Sequence, residues 1–183
     1  MTTFYTRKGD DGSSGLLREG RTLKSDLVFE TLGAIDEASA ALGVARSISC
    51  SVDVSQVIQI QRDLYGMMGE VAASPENAGR FRVIDAARVE WLEAQTALIA
   101  GQVEVPREFI VPGDCPSGAA FDLARTVVRR AERRLVELVQ RGDVQNPEIL
   151  RYINRLSSLC FLFGLLETKT AGVTKITLAL GSS

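Results

Sequence analysis

The sequence predicts an all-α protein, a single domain folded as an up-and-down bundle of five helices. Five segments carry apolar residues at the three- and four-residue spacing of an amphipathic helix, and most links between them are short. No repeat, low-complexity tract or linker divides the chain. With 183 residues, 45% of them hydrophobic, the chain can form one substantial core. We therefore assign residues 1–183 to one domain: an N-terminal loop (1–24), a helical bundle (25–171) and a C-terminal tail (172–183).

The N-terminal loop has no helical period and is rich in glycine, hydroxyl and charged residues. It could also include a short strand at its edges. Glycines let backbone amides point at a ligand, and Arg7, Lys8 and Lys24 add positive charge, which together suit a polyphosphate. The segment lacks the G-x-x-x-x-G-K-[ST] phosphate loop, however, and a disordered polar terminus would have a similar composition. Composition leaves both interpretations open.

Helices one and two are predicted over residues 25–47 and 52–73. Ser25 is the expected N-cap of the first, and the loop of residues 74–80 ends the second. Asp36 lies in the middle of helix one, where such an acid is usually exposed. The expected core positions are Val28, Leu32, Ile35, Leu42 and Ala45 on helix one, and Val57, Ile60, Leu64, Met67, Met68 and Val71 on helix two.

Helix three is predicted over residues 84–101, and the longest irregular connection, residues 102–117, follows it. Long loops within compact domains are often functional. Helix four then runs to Arg141, and Gly142 ends it. The inward positions of helix three are expected to be Val89, Leu92, Thr96 and Ile99, with Trp91 as a partial anchor.

Helix five is expected to begin at Asn146 and Pro147, since proline suits the first helical position. Its core face is predicted to hold Leu150, Ile153, Leu156, Cys160 and Phe163. Near the C-terminus, residues 173–180 alternate and are β-branched, so they form either a short strand or an extended tail.

Helix four carries a stripe of charged residues, Asp122, Arg125, Arg129 and Glu132, at intervals of 3, 4 and 3. This spacing places them on one helical face. Such a stripe is either a solvated surface or part of a ligand site, as is a second stripe on helix five. The second stripe consists of Arg151, Asn154, Arg155 and Ser158, and the apolar stripe of helix four consists of Ala124, Val127, Val128, Ala131, Leu135 and Leu138.

Composition excludes several classes of function. The net charge of -2 provides no basic field for nonspecific nucleic-acid binding, so no nucleic-acid partner is expected. The chain has no histidine, which excludes His-based triads, His-metal sites and His acid/base catalysis.

Cysteine usage and hydropathy indicate a reducing, cytoplasmic location. Cys50, Cys115 and Cys160 are odd in number and lack metal-ligand spacing. We expect all three to be buried or half-buried, with an exposed reactive thiol at Cys115 as the alternative. The N-terminus has no signal-peptide core, and the longest apolar run, residues 159–166, is too short to span a bilayer. No membrane partner is therefore expected.

Five segments in order carry a resemblance to a known family, and together they reach from the N-terminus to about Phe163. The chain resembles the PduO-type cob(I)alamin adenosyltransferases, also called corrinoid adenosyltransferases. The matching segments are TRKGDDGSS, ETLGAIDEASAALGVAR, IQRDLYGMMGEVA, FIVPGDCPSGAAFDLARTVVRRAERR and NPEILRYINRLSSLCF.

The resemblance implies a ferritin-like five-helix bundle that assembles as a homotrimer, with the active site between adjacent subunits. It also implies that ATP is a co-substrate, with Mg²⁺ held mainly through the ATP phosphates. The residues that it assigns to ATP binding are Thr6, Arg7, Gly9, Asp10, Gly12, Ser13, Ser14, Lys24, Arg125, Arg129, Glu132 and Asn154.

Further roles follow from the same resemblance. Asp36 would pair with Arg125 across the interface, and Phe109 would cover the lower face of the corrin ring together with Pro112 and Gly113. The catalytic residues would thus be Phe109, Asp36 and Arg125. Asp122 receives no role, and for it the solvated-face interpretation is kept.

The implied reaction explains why the chain can lack histidine. Co(I) of a corrinoid attacks the 5′ carbon of ATP, which forms adenosylcobalamin and releases triphosphate, so little general-base help is needed. Arginine forks, amides and Mg²⁺ would stabilise the departing triphosphate. An apolar wall at Phe109 would exclude an axial ligand and make Co(I) easier to reach, with an electron-donating reductase as a further partner.

Three positions depart from the family pattern: Lys8, Gly15 and Asp114. Lys8 would add a phosphate contact, whereas Asp114 would place negative charge near the corrin. The tail after Glu167 does not match the family. Two alternatives remain: a non-catalytic ATP- or corrinoid-binding sensor or delivery protein, and a helical scaffold whose polar stripes are solvated.

Overall fold

The computed structural model describes residue 5 and residues 7–180 of the chain. Thr6, one of the predicted phosphate contacts, lies outside the described residues. Five α-helices occur in the described part, which confirms the predicted fold class. They are α1 (Leu27–Ile48), α2 (Val54–Ala72), α3 (Ala86–Ala100), α4 (Pro116–Gln140) and α5 (Pro147–Thr170), with a short 3-10 helix at Ala78–Phe81 between α2 and α3.

Short side chains cap the start of every helix. The prediction that Ser25 is the N-cap of α1 is wrong. The N-cap is Asp26, whose carboxylate accepts a hydrogen bond from the Val28 amide at 2.9 Å, and the helix begins at Leu27. The prediction for α5 is confirmed, since Asn146 accepts the amide of Glu148 at 3.1 Å and Pro147 occupies the first turn. The remaining caps are Asp53, Asp85 and Cys115.

The helices pack side by side around one core. Helix α4 packs between α1 and α5, while α2 lies beside α1 and α3 lies beside α5. Polar contacts join α2 to α3: Gln56 donates to Gln95 at 2.7 Å, and Arg88 pairs with Asp63 at 2.8 Å. The core between these helices contains the predicted apolar stripe of α4, whose six members are all buried.

A β-hairpin precedes the bundle. Strands β1 (Ser13–Leu16) and β2 (Arg18–Leu23) pair antiparallel. The Leu17 amide donates to the Ala72 carbonyl at 3.1 Å, so the hairpin lies at the C-terminal end of α2. We call this the hairpin end of the bundle. The disordered-terminus interpretation is therefore wrong for residues 13–23.

The opposite end carries the α3–α4 connection and the C-terminal tail, and we call it the loop end. Here Glu167, 1% exposed, reaches from α5 into the α1–α2 turn. Its carboxylate accepts the amides of Cys50, Ser51 and Val52 at 3.0 Å, and the Ser49 hydroxyl at 2.5 Å. One buried side chain thereby ties three helices together.

Helices α4 and α5 approach closely near the loop end because glycines face each other there. A Cβ on Gly118 would lie 2.6 Å from Thr168 Oγ1 and 3.1 Å from the Gly164 carbonyl oxygen. Any larger residue at Gly118 would push the two helices apart.

A second polar cluster holds the middle of the bundle. Asp63 on α2 accepts the Tyr152 hydroxyl at 2.6 Å, the Arg88 guanidinium at 2.8 Å and the Gln59 amide at 3.1 Å. Burial, followed by the Asp63 carboxylate, raises the pKa of Tyr152 well above its usual value, so the hydroxyl keeps its proton and remains a donor.

The cysteine prediction is confirmed for Cys115 and Cys160 and wrong for Cys50, which is exposed in the α1–α2 turn. Burial raises the pKa of Cys160 to about 12, which leaves it an unreactive thiol. Helix α5 is long and apolar enough to span a membrane by length and composition, but 67% of its most apolar window is buried inside the bundle. This burial is typical of a core helix.

A candidate substrate site on helices α4 and α5

A cavity of about 430 Å³ opens on the surface between α4, α5 and the α3–α4 connection. It brings together residues that the sequence assigned to different tasks: Phe109 to the corrin, and Arg125 and Arg129 to the nucleotide. The lining residues are Pro106, Arg107, Glu108, Phe109, Ile110, Arg125, Arg129, Ser157, Ser158 and Phe161. The wall thus combines cations, hydroxyl groups and two aromatic rings.

Arg125 is fixed by an acid one turn earlier on the same helix. The Nε of Arg125 lies 3.2 Å from Asp122 Oδ1, and the Asp122 side chain is only 9% exposed. The solvated-face interpretation of Asp122 is therefore wrong: its carboxylate faces the α4–α5 contact and holds the guanidinium. Because this bond uses Nε, the two terminal nitrogens of Arg125 remain available to a ligand.

Arg129 is held differently. It is exposed at the cavity, and its guanidinium has no hydrogen-bond or ion-pair partner within residues 7–180. One turn further along α4, Glu132 accepts the amide of Asn154 at 2.8 Å. The structure thus places Arg129 beside the Glu132–Asn154 pair on one polar face, the arrangement that the helical spacing predicts.

Phe109 projects from the connection and is 88% exposed. Its carbonyl accepts the amide of Ala179 at 2.7 Å, and the amide of Val111 donates to the Thr177 carbonyl at 2.8 Å. The tail therefore runs antiparallel to the Phe109 segment, with a single bridge between Ile110 and Leu178. Pro112 is exposed, and Gly113, with φ of +130°, turns the chain toward α4.

Two basic residues order the N-terminal loop: Arg21 within β2 and Lys24 directly after it. Arg21 donates to the Ser13 hydroxyl at 2.8 Å and to the Lys8 carbonyl, and the Lys24 ammonium donates to the Gly9 carbonyl at 2.8 Å. Asp11 accepts the amide and hydroxyl of Ser13, and these bonds lower the pKa of its carboxyl. The predicted phosphate residues thus belong to a compact, self-bonded turn.

This turn and the cavity lie apart in one chain. The N-terminal turn is at the hairpin end, and none of the described residues from 7 to 24 lines the cavity. Asp36 on α1 is exposed without a partner in the described part of the chain, while its neighbour Glu37 pairs with Arg130 of α4. A single chain therefore presents two separate halves of the predicted site.

A model of the family described as cobalamin adenosyltransferase matches residues 4–167. The chain belongs to this family. The family resemblance noted from the sequence is thereby confirmed, and it covers both halves of the predicted site.

Individual relatives support the same assignment. The chain is 34% identical over 170 residues to the corrinoid adenosyltransferase PduO of Salmonella typhimurium, covering 92% of this chain and 50% of that protein. This chain thus spans about half the length of that relative. It is 30% identical over 175 residues to the corrinoid adenosyltransferase of Bacillus subtilis, covering 93% of this chain and 89% of that protein.

Solved structures of a family member have the same fold. One is a phenylalanine-to-alanine variant of a PduO-type ATP:corrinoid adenosyltransferase from Lactobacillus reuteri, complexed with cobalamin and ATP. It superimposes with a TM-score of 0.88 at 26% identity, over 98% of this chain and 100% of that chain. An arginine-to-lysine variant of the same enzyme, complexed with ATP, gives a TM-score of 0.85 at 26% identity over 96% and 99% of the two chains.

Several cavity residues of the present chain were not predicted from its sequence. Ser157 and Phe161 line the cavity, and they lie three and seven residues beyond Asn154 on the same face of α5. The helical period could have identified them, because positions i, i+3 and i+7 share a face. No comparable sequence signal exists for Arg21, since its contact with the Lys8 carbonyl depends on how the hairpin folds back.

Proposed function

We propose that this chain is an ATP:cob(I)alamin adenosyltransferase that transfers the 5′-deoxyadenosyl group of ATP to Co(I) of a corrinoid and releases triphosphate. The observation that carries the proposal is that one cavity contains Phe109 together with Arg125 and Arg129. The family resemblance assigns the aromatic to the corrin and the arginines to ATP, so the two reacting molecules would meet here. Family membership and the named relatives support it.

The residues of the cavity and the polar pair beside it would have different roles. Arg125 is oriented by Asp122, and Arg129 has no partner among the residues that the structure describes; both would present guanidinium groups to the departing triphosphate. Preorganised cations of this kind stabilise developing negative charge because they need no reorientation during the reaction. Glu132 and Asn154 would hold the nucleotide, and the exposed ring of Phe109 would cover the corrin face and exclude water.

We also propose that Mg²⁺ accompanies ATP and is bound mainly through its phosphates. No group of three His, Cys, Asp or Glu side chains that could hold a metal ion occurs among residues 5 and 7–180. A metal held mainly by phosphate oxygens needs no such cluster. When bound, Mg²⁺ would neutralise triphosphate charge in support of Arg125 and Arg129.

We further propose that the complete site forms between subunits of a homotrimer. The N-terminal loop of one subunit, with Arg7, Gly9, Asp10, Gly12, Ser13, Ser14 and Lys24 described and Thr6 outside the description, would close over the cavity of its neighbour. The separation of the two halves in one chain supports this arrangement. We place the reaction in the cytoplasm, with an electron-donating reductase supplying Co(I).

One assay tests the proposed function. The protein is mixed with MgATP and chemically reduced cobalamin, and the products are analysed in the dark and after illumination. We expect a light-sensitive alkylcobalamin and one equivalent of triphosphate. Binding of ATP or cobalamin without turnover would identify a sensor or delivery protein instead, and the absence of both binding and turnover would identify a scaffold.

A further inference from the structure

The C-terminal tail is tied to the Phe109 segment by more than its backbone. The carboxylate of Asp114 accepts the Thr177 amide at 2.9 Å through Oδ2 and the Thr177 hydroxyl at 2.7 Å through Oδ1. These two bonds lower the pKa of the Asp114 carboxyl, so it stays ionised and accepts both bonds at neutral pH. We call this pair the Asp114–Thr177 clamp.

The clamp adds to the few contacts that hold the connection, where Val103 and Ile110 also pack partly against the core. Within the described residues, the backbone hydrogen bonds of residues 103–113 run to the tail: Phe109 accepts from Ala179, and Val111 donates to Thr177. Phe109 itself is 88% exposed, so packing does not fix its ring. The position of the ring thus depends in part on the tail, which is held by the bonds of Thr177 and by the packing of Ile176 against the core.

The clamp depends on the identity of residue 114. Asp114 is one of the positions that depart from the family pattern, where a small residue is common, and a small residue could not supply the two acceptors. The expectation that Asp114 places negative charge near the corrin stays a prediction, and in the structure both carboxylate oxygens of Asp114 are directed at Thr177.

We propose that the Asp114–Thr177 clamp is a positioning device: it holds the tail against the Phe109 segment and thereby fixes the aromatic wall over the corrin without touching either substrate. This inference rests on the proposed function. A wall on a loosely held loop would readmit water or an axial ligand, and misplacement by about 1 Å can cost about 100-fold in rate.

Two substitutions weaken the clamp with little change in shape. Thr177→Val removes the hydroxyl donor, and Asp114→Asn removes the charge and one acceptor. We expect each to lower turnover from a Co(II) corrinoid with reductant about 10-fold, since positional effects of this order follow from small displacements. The KM for ATP and the turnover of pre-reduced Co(I) corrinoid should stay within about twofold of wild type, because neither substitution touches Arg125 or Arg129.

Matched variants separate the clamp from general effects on the tail. Thr177→Ser keeps the hydroxyl and should restore wild-type turnover. Thr174→Val makes the same chemical change three residues earlier in the tail, outside the clamp, and should leave turnover unchanged. Equal losses in Thr174→Val and Thr177→Val would overturn the inference.

A double-mutant cycle tests whether the clamp acts through Phe109. Phe109→Ala alone should keep ATP binding and lose most of the Co(II)-dependent turnover. If the clamp works only by placing Phe109, adding Thr177→Val to Phe109→Ala should cause little further loss, whereas independent effects would multiply. A loss of turnover in the double variant equal to the product of the two single losses would contradict the inference.

A readout that needs no activity completes the test. Hydrogen exchange at the amides of Val111 and Ala179 should be at least about 10-fold faster in Thr177→Val and Asp114→Asn than in wild type, because both amides lie in the tail pairing. Unchanged exchange would overturn the clamp. Failure of the proposed function would instead be seen in the wild-type chain, which would form no adenosylcobalamin at all.

Discussion

Two arginines one turn apart on α4 differ in how they are held. Arg125 is bonded to a buried acid, whereas Arg129 stands exposed at the cavity with no partner in the described residues. A guanidinium that is paired with a neighbouring carboxylate is oriented before the ligand binds. One without such a partner can direct all of its N–H donors at an incoming phosphate. The two side chains therefore contribute to the same site in different ways.

For Arg129 we predict a loss confined to catalysis. Arg129→Ala should reduce kcat for adenosyl transfer about 100-fold, the usual cost of removing one preorganised donor. Stability should change little, because the side chain is exposed. Steady-state kinetics with Co(I) corrinoid and varied ATP measure the effect. Arg151→Ala, which removes an arginine paired with Glu148 outside the cavity, is the matched control. A kcat within threefold of wild type would remove Arg129 from the mechanism.

For Asp122 we predict a loss of both stability and substrate binding. Asp122→Asn leaves Arg125 without its buried ionic partner, at a cost of about 1–2 kcal/mol for a charged hydrogen bond of a partly exposed group. The KM for ATP should rise several-fold as Arg125 becomes less ordered. Urea unfolding and kinetics measure the two effects. Glu137→Gln breaks a surface pair of the same i,i+3 spacing and should have almost no effect.

At the scale of elements, the α1–α2 turn depends on one carboxylate of α5. Burial raises the pKa of Glu167, but the Ser49 hydroxyl and the amides of Cys50 and Ser51 outweigh it and lower the pKa to about 2. A carboxyl whose pKa is lower in the folded state stabilises the fold fully above its unfolded pKa near 4.5. That contribution is lost as the pH falls from about 4.5 toward about 2.

The predicted consequence is a change in acid sensitivity. Glu167→Gln should lower the free energy of unfolding at pH 7 by about 3 kcal/mol, the value of a shift of this size. The variant should also lose less stability than wild type between pH 4.5 and 2, because it has no proton to take up at this position. Urea unfolding across pH measures both. Glu90→Gln, at an exposed position on α3, should follow the wild-type curve.

The sequence predicted these elements unevenly, for physical reasons. The helices followed from apolar periodicity, which is strong in α4 because its six apolar positions are all buried. Ser25 and Asp26 are both good caps, so the choice between them depended on one residue of backbone geometry. Asp122, Glu167 and Asp114 could not be interpreted from the sequence, because each acts through contacts with residues distant in the chain or through burial.

The same reasoning applies to the candidate site. Arg125, Arg129 and Glu132 share a face of α4 at helical spacing, and the structure brings Asn154 of α5 to Glu132. Phe109 was assigned by resemblance, and its place at the cavity depends on the long connection. The pairing of that connection with the tail left no signal beyond alternation in residues 173–180.

At the scale of the whole molecule, the distribution of charge bears on the proposed assembly of several copies of the chain. The N-terminal turn lies at the hairpin end, the cavity lies on α4 and α5, and Asp36 is exposed without a partner in the part of the chain that is described. Among the described residues the terminal nitrogens of Arg125 likewise have no hydrogen-bond partner, since Asp122 uses Nε. A contact between Asp36 of one subunit and Arg125 of the next would satisfy both groups and join the two halves of the site.

Asp36→Asn tests this arrangement. Removing one charge of an interfacial pair leaves the other uncompensated, which typically costs about 2–5 kcal/mol when the pair is buried. We therefore predict that the variant dissociates at protein concentrations where wild type remains a trimer, and that turnover falls with assembly. Sedimentation velocity over a range of concentrations, with activity measured on the same samples, follows both. Glu37→Gln is the matched control, because Glu37 pairs with Arg130 within its own chain and should leave the trimer intact. A fully active Asp36→Asn trimer would show that another contact joins the subunits.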